Sequence, residues 1–202
     1  MKTSPQRSAL TFSWTAATSD PALLPSRPYP QLRDQLKTGD LVLFSGRSLA
    51  SRLVRGLTGS RWSHVGLVVR LPDMPQTPLL WEATRASKVH DIMHGRPFDG
   101  VQLVALDDRV ASYPGLVAVR RLQGVNTDAE ARARLDELID AWRAKPYRNF
   151  ARQHLSAWVR GEEALAFQRG GFCSELVAEV YRQWRLLPAD RPARHYVPRD
   201  FS

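Results

Sequence analysis

Residues 62–71 read WSHVGLVVRL, and residues 79–83 read LLWEA. Both stretches are rich in β-branched and aromatic residues, which favour β-strands. The segment DMPQTP at 73–78 contains prolines and is typical of a turn. Together these segments predict a β-hairpin with His64 in its first strand and Glu82 in its second, where an acid is out of place among apolar neighbours.

The segments around this hairpin predict an α+β fold with a small antiparallel sheet packed against helices. Further strands are expected at 41–44, 101–106 and 115–122, with a long irregular connection at 84–100. Helices are expected at 48–60, after a Thr127–Glu130 capping box, and after Gly170-Gly171. Residues 1–33, rich in Ser, Thr and Pro, are interpreted as a flexible or extended lead-in, and residues 34–202 as one domain.

The stretch GGFCSELVAEVY at 170–181 contains Cys173, the one cysteine of the chain, immediately before an amphipathic helix. A free cysteine is most often a small buried hydrophobic residue. At a helix N-terminus, however, the partial positive charge favours a thiolate, and free N–H groups are available to hold an oxyanion. Cys173 is therefore a candidate nucleophile as well as a candidate core residue.

A thiol nucleophile needs a base, and the base needs a group that orients it. Of five histidines, His64 is the one inside a strongly predicted strand, and Glu82 lies on the neighbouring strand. A carboxylate there can accept one imidazole N–H and stabilise the imidazolium. Taken singly, each has a structural alternative: a half-buried strand histidine and an exposed strand acid.

The segment HDIMH at 90–94 raises the alternative of a metal site. The zinc-protease pattern places Glu directly after the first His on a helix, whereas this segment has Asp91 in a loop flanked by Gly and Pro. We therefore expect no metal and no organic cofactor.

The composition bounds the partners and the compartment. Lys and Arg number 29 against 20 Asp and Glu, a formal charge of +9, which favours an anionic substrate or surface. No nucleic-acid-binding motif accompanies this charge, so nucleic acid is a disfavoured partner. One cysteine excludes an internal disulfide framework. Without an apolar run long enough for a membrane span or a secretory signal, we expect a cytoplasmic protein, unless a signal-independent route exports it.

Several of these segments, in their order, resemble one family of enzymes. TGDLVLF, TGSRWSHVGLVV, LLWEA and FCSELVAEVY resemble the circularly permuted, YiiX-like branch of the NlpC-type cysteine peptidase superfamily, which has a papain-like fold. The resemblance covers about residues 36–201 and includes KPYRNF and the closing VPRDF. It leaves the lead-in and the HDIMHGRPF loop unassigned.

This resemblance implies a permuted papain-like fold in which His64 is the base, Glu82 the orienting acid and Cys173 the nucleophile. It also implies a secondary role in substrate or oxyanion binding for Tyr147 in KPYRNF. Trp62 and Ser63 flank the histidine and are secondary candidates for the walls of the cleft.

The implied activity is hydrolysis of an acyl bond, with a cell-wall peptide amide favoured as the substrate. A lipid-directed acyltransferase or phospholipase-like activity is the close alternative, because the lecithin–retinol acyltransferase type belongs to a related permuted branch. A non-catalytic peptide- or lipid-binding module is the second alternative. A complete Cys, His and acid set disfavours it, because a pure binder does not need all three.

Overall fold

A computed structural model of the protein describes residues 28–85, 87–125, 127–143 and 171–202. These ranges form an α+β fold with one seven-stranded antiparallel sheet and five α-helices. The strands are β1 (Leu41–Gly46), β2 (His64–Val69), β3 (Leu79–Thr84), β4 (His90–Asp91), β5 (Arg96–Pro97), β6 (Gly100–Ala105) and β7 (Gly115–Arg120). The helices are α1 (Tyr29–Arg33), α2 (Leu49–Thr58), α3 (Leu106–Ala111), α4 (Ala129–Trp142) and α5 (Gly171–Gln183), followed by the 3-10 turns Ala193–His195 and Pro198–Phe201.

The strands lie in the order β5-β4-β6-β3-β2-β1-β7. The predicted hairpin is confirmed, because β2 and β3 pair antiparallel from Val69–Leu79 to Leu67–Trp81. The pairing stops there, before the strands reach His64. The two strands therefore separate at the end of the sheet where His64 and Glu82 lie.

Each face of the sheet has its own apolar core, as the two-residue period of β-strands requires. On one face, alternate residues such as Val65 and Leu67 pack with apolar residues of α4 and α5. On the other face, alternate residues such as Phe44 and Val68 pack with Leu106 of α3. The helix that contains Cys173 and the helix α3 therefore cover opposite faces of one sheet.

Three local features differ from the sequence-based expectations. The cap of α4 is Asp128, whose side chain accepts from the Ala131 N–H, so the Thr127–Glu130 capping box is wrong by one residue. Residues 29–33, expected in the lead-in, form helix α1. The connection at 84–100 contains the short strands β4 and β5.

Asp91 organises this connection through hydrogen bonds. Its buried carboxylate accepts from the Leu103 N–H at 2.7 Å and the His94 N–H at 3.0 Å, and it also bonds the His94 imidazole. The Asp91 carboxylate thereby links the loop to strand β6, because one of its oxygens accepts from Leu103 of that strand and the other from His94 of the loop.

Asp91→Ala is expected to destabilise the fold by about 3 kcal/mol, because it removes charge-assisted hydrogen bonds and leaves the Leu103 N–H of β6 without its acceptor. Urea denaturation measures the change. Asp140→Ala is the matched control: its exposed carboxylate bonds Arg143 and should contribute at most about 1 kcal/mol. Equal losses in the two variants would contradict a structural role for Asp91.

No helix within the described ranges has both the length and the hydropathy that crossing a bilayer requires.

Candidate active site

His64 and Glu82 are hydrogen-bonded where β2 and β3 separate. His64 is the first residue of β2, and Glu82 is near the end of β3. Their side chains extend from the same face of the sheet, and His64 Nε2 lies 2.5 Å from Glu82 Oε2. With Nε2 engaged by the carboxylate, Nδ1 is the imidazole nitrogen that remains for another partner.

The Glu82 carboxylate is completely buried, and the protein supplies donors for both of its oxygens. Gln102 Nε2 and Arg109 Nε each donate to Oε1 at 2.8 Å, while Oε2 faces His64. The Arg109 guanidinium also lies 4.9 Å from the centre of the Phe44 ring and 5.1 Å from that of Tyr113. A buried acid with this many donors is held ionised and in one orientation.

Sequence reasoning missed Gln102 and Arg109. Gln102 lies directly opposite Glu82 in the register of β3 and β6, and a glutamine within the apolar segment VQLVAL was an available signal. Arg109 has no such signal, because its place depends on how α3 packs across the sheet.

Cys173 approaches His64 from the opposite face of the sheet. It is the third residue of α5, so it lies within the first helical turn and not immediately before the helix as expected. Its side chain is 6% exposed and belongs to the apolar core under α5. The sulfur is hydrogen-bonded to the His64 side chain and accepts from the backbone N–H groups of Val65 and Ser174.

The Val65 N–H is available because the ladder between β2 and β3 ends early. The Val68 N–H donates to the backbone carbonyl of Asp40, which lies just before β1. Successive N–H groups of a strand point in alternate directions. The Val65 N–H therefore points toward β3, beyond the last pair of that ladder. The gap between the two strands gives the Cys173 sulfur both a strand N–H and access to the imidazole.

The three titratable groups stabilise one another's charges. Burial by itself raises the pKa of the Cys173 thiol, but the His64 charge, its hydrogen bond and the two N–H groups outweigh burial and lower that pKa below its ordinary value. Burial lowers the pKa of His64, whereas the charges and hydrogen bonds of Cys173 and Glu82 raise it to about 9. Burial raises the pKa of Glu82, and His64 and Arg109 lower it to about 2. The charged forms of the thiol, the imidazole and the carboxyl therefore favour one another.

The secondary candidates are placed differently. Ser63 Oγ donates to the Phe44 carbonyl and accepts from the Gly46 N–H, both at 3.2 Å, so it closes the end of β1. Trp62 is 4% exposed and packs in the same core as Cys173. Roles in substrate binding for these two residues stay predictions. Tyr147 lies outside the described residues.

No three His, Cys, Asp or Glu side chains within the described ranges are grouped so that they could hold a metal ion. His90 of the HDIMH segment is exposed, and His94 stacks on Phe98 with 4.4 Å between ring centroids.

Comparison with known proteins finds a similar solved structure. No family model matches the chain, and no curated protein matches it. A solved structure that is similar is the crystal structure of the metalloprotein YiiX from Escherichia coli O157:H7 (DUF1105), with a TM-score of 0.48 and 24% identity. The match covers 73% of this chain and 66% of that chain, just under two thirds of its length.

Proposed function

We propose that this protein is a cysteine hydrolase or acyltransferase of permuted papain-like design. Cys173 is the nucleophile, His64 the general base and then acid, and Glu82 the group that orients the imidazole. One observation carries the proposal: a hydrogen-bonded chain runs from the only thiol of the sequence through an imidazole to a fully buried carboxylate. A cysteine that merely fills the core does not require this chain of partners.

The reaction follows from the charges of these groups. The Cys173 thiolate attacks an acyl carbonyl carbon, a C–S bond forms, and the carbonyl oxygen becomes an oxyanion. When the oxyanion collapses, the bond to the leaving group breaks, and the His64 imidazolium gives that group its proton. The product is a thioester on Cys173. The neutral imidazole then takes a proton from water or another acceptor, whose oxygen attacks the thioester and releases the acyl product and the thiol.

Glu82 remains an anion throughout this cycle. Its pKa of about 2 lies far below that of the imidazolium, so the proton stays on His64 whenever the thiol has given it up. Glu82 thereby stabilises the imidazolium and holds the ring, as the acid of a catalytic triad does.

The favoured substrate is an amide in anionic material such as cell-wall peptide polymer, since the chain has a formal charge of +9. One observation favours lipid acyl groups as a second candidate. Leu49 at the start of α2 is 81% exposed, and it lies close in sequence to the exposed Arg47 and Arg52. An apolar residue beside basic residues is typical of helices that meet anionic lipid.

Mass spectrometry after incubation with peptidoglycan fragments, and separately with phosphatidylglycerol vesicles, tests both the mechanism and the substrate class. We expect an acyl-thioester mass on Cys173 with one of the two, together with cleaved product. A Cys173→Ser variant, which keeps the size of the side chain, is the control and should accumulate no thioester. Labelling of Cys173 by iodoacetamide at neutral pH no faster than a free thiol would favour the non-catalytic binding module.

A further inference from the structure

We infer that Arg109 is a positioning residue that holds the Glu82 carboxylate in the single orientation from which it directs His64 toward Cys173. This inference rests on the proposed function. It adds a residue that acts from the face of the sheet opposite the nucleophile helix and touches no reacting atom.

The contacts of Arg109 restrict Glu82 to one arrangement. Arg109 Nε and Gln102 Nε2 both donate to Oε1, which leaves Oε2 as the oxygen that receives His64 Nε2. A carboxylate held at one oxygen by two donors cannot exchange its oxygens or turn without breaking both hydrogen bonds. The angle at which the imidazole presents its other nitrogen to Cys173 is therefore fixed through Glu82.

Arg109 is itself held firmly. Its guanidinium lies beside the rings of Phe44 and Tyr113, at 4.9 and 5.1 Å from their centres, and its side chain is 10% exposed. Phe44 also lies 5.5 Å from the His64 ring, measured between centroids. Aromatic contact with a guanidinium is favourable and keeps the cation in one plane. The same ring thus packs against both ends of the Glu82 network.

A second residue of α3, Asp107, also attaches this helix to the rest of the fold. Its removal therefore tests the effect of loosening α3 while the Arg109 contact with Glu82 is kept. Asp107 accepts from Tyr29 Oη at 2.7 Å and from Arg33 Nε at 2.8 Å, both from α1. Asp107 is two residues from Arg109 and is not among the hydrogen-bond partners of Glu82. Loss of the Asp107 contacts weakens the attachment of α3 without removing a donor from Glu82.

Removal of Arg109 should move the acid limb of the pH profile of Cys173 alkylation, which is the range where the rate rises as the thiolate forms. The groups that face the Glu82–His64 pair are Cys173, Gln102, Arg109 and Tyr113. The side chain of Tyr113 is in turn hydrogen-bonded to Ser63. Without the Arg109 cation, burial raises the pKa of the Glu82 carboxyl with less opposition. As pH falls, Glu82 then takes up a proton earlier, the imidazolium loses its anion, and the thiolate is lost at a higher pH than in the wild type.

The experiment compares Arg109→Met, Arg109→Lys and Asp107→Asn with the wild type by two readouts. One is the rate of alkylation of Cys173 by iodoacetamide from pH 4.5 to 9, which reports the thiolate. The other is hydrolysis of p-nitrophenyl acetate, which reports thioester formation on Cys173 and the proton that His64 takes from water when the thioester is hydrolysed. Thermal melting of each variant shows that it is folded.

Arg109→Met is expected to slow ester hydrolysis by about 10- to 100-fold, since small misplacements of catalytic groups cost that much, and to move the acid limb of alkylation to higher pH. Arg109→Lys should keep the acid limb near that of the wild type, because it keeps the charge, but should recover only part of the hydrolysis. Asp107→Asn should lower the melting temperature and leave both readouts within about twofold, because it leaves the donors of Glu82 in place. In a Glu82→Gln background, Arg109→Met should cost less than twofold more, since a residue that acts through Glu82 has nothing left to orient.

Two results overturn the inference. One is an Arg109→Met variant with wild-type hydrolysis and an unmoved acid limb. The other is an Arg109→Met variant that loses the same fraction of hydrolysis in the wild-type and in the Glu82→Gln background, which shows a structural role alone. If Arg109→Met does not fold, Arg109→Lys with full wild-type hydrolysis overturns the inference equally. Failure of the proposed function has a different signature: wild-type Cys173 is alkylated like a free thiol, and Cys173→Ala hydrolyses the ester as fast as the wild type.

Discussion

Cys173→Ala is expected to abolish acyl turnover, with a loss of about 10⁴-fold or more, because no other group in the described site can form the covalent bond. The fold should survive the change. The side chain is small and lies in the first turn of α5, and the His64–Glu82–Arg109 hydrogen bonds do not depend on the sulfur. Steady-state hydrolysis of p-nitrophenyl acetate and a thermal melt measure the two expectations.

The same variant gives a second, independent measurement. The negative charge and hydrogen bond of Cys173 help to raise the pKa of His64 to about 9. In Cys173→Ala that pKa should therefore fall, while the contribution of Glu82 remains. An NMR titration of the His64 imidazole follows the change. An alanine variant that retains turnover, or a His64 titration identical to that of the wild type, would show that the thiol and the imidazole do not act as a pair.

His64→Ala is expected to remove nearly all turnover and to raise the midpoint for alkylation of Cys173. In the wild type the thiol pKa is lowered, so the midpoint for alkylation should lie below that of a free thiol, about 8.5. Without His64, burial opposes the thiolate and only the N–H groups of Val65 and Ser174 favour it. The midpoint should then move to that of a free thiol, about 8.5, or above it. High salt should change these midpoints little, because buried pairs are weakly screened.

The two wild-type profiles should differ at high pH. Alkylation needs the thiolate alone, so its rate should rise with pH and then stay level. Turnover of an amide also needs the imidazolium, which protonates the amine leaving group, and His64 loses its proton as pH passes about 9. Turnover should therefore fall on the alkaline side while alkylation does not. If the rates of alkylation and turnover fell together at high pH, the fall would be due to unfolding and not to deprotonation of His64.

The sequence predicted the parts of this site that depend on local patterns. The two-residue period of WSHVGLVV and LLWEA placed His64 and Glu82 on neighbouring strands of a hairpin, and the apolar stripe after Cys173 predicted its helix. The same reasoning, together with the family resemblance, named Cys173, His64 and Glu82, which the structure brings together.

What depends on packing between distant elements was not predictable from patterns. The register that sets Gln102 opposite Glu82 and the crossing of α3 that brings in Arg109 are decided by contacts between segments far apart in the chain. The first residue of α5 was missed because two glycines suggest a break, yet Gly171 is helical. Asp128 caps α4 in place of Thr127, because either side chain is chemically able to cap and only the backbone decides.

The placement of this site across both faces of the sheet has a consequence for how a hydrolase of the proposed kind can change over time. Helix α5, which contains Cys173, lies on one face of the sheet, while Gln102 and Arg109, which donate to Glu82, lie on the other. Under the proposed function, substitutions around α3 are expected to alter the reactivity of the thiol without changing the face of the sheet that packs against α5. Substitutions around α5 are expected to change the surroundings of the Cys173 thiol without removing a donor from Glu82. The donors of Glu82 and the surroundings of the thiol are therefore open to selection, and to engineering, as two separate sets of residues.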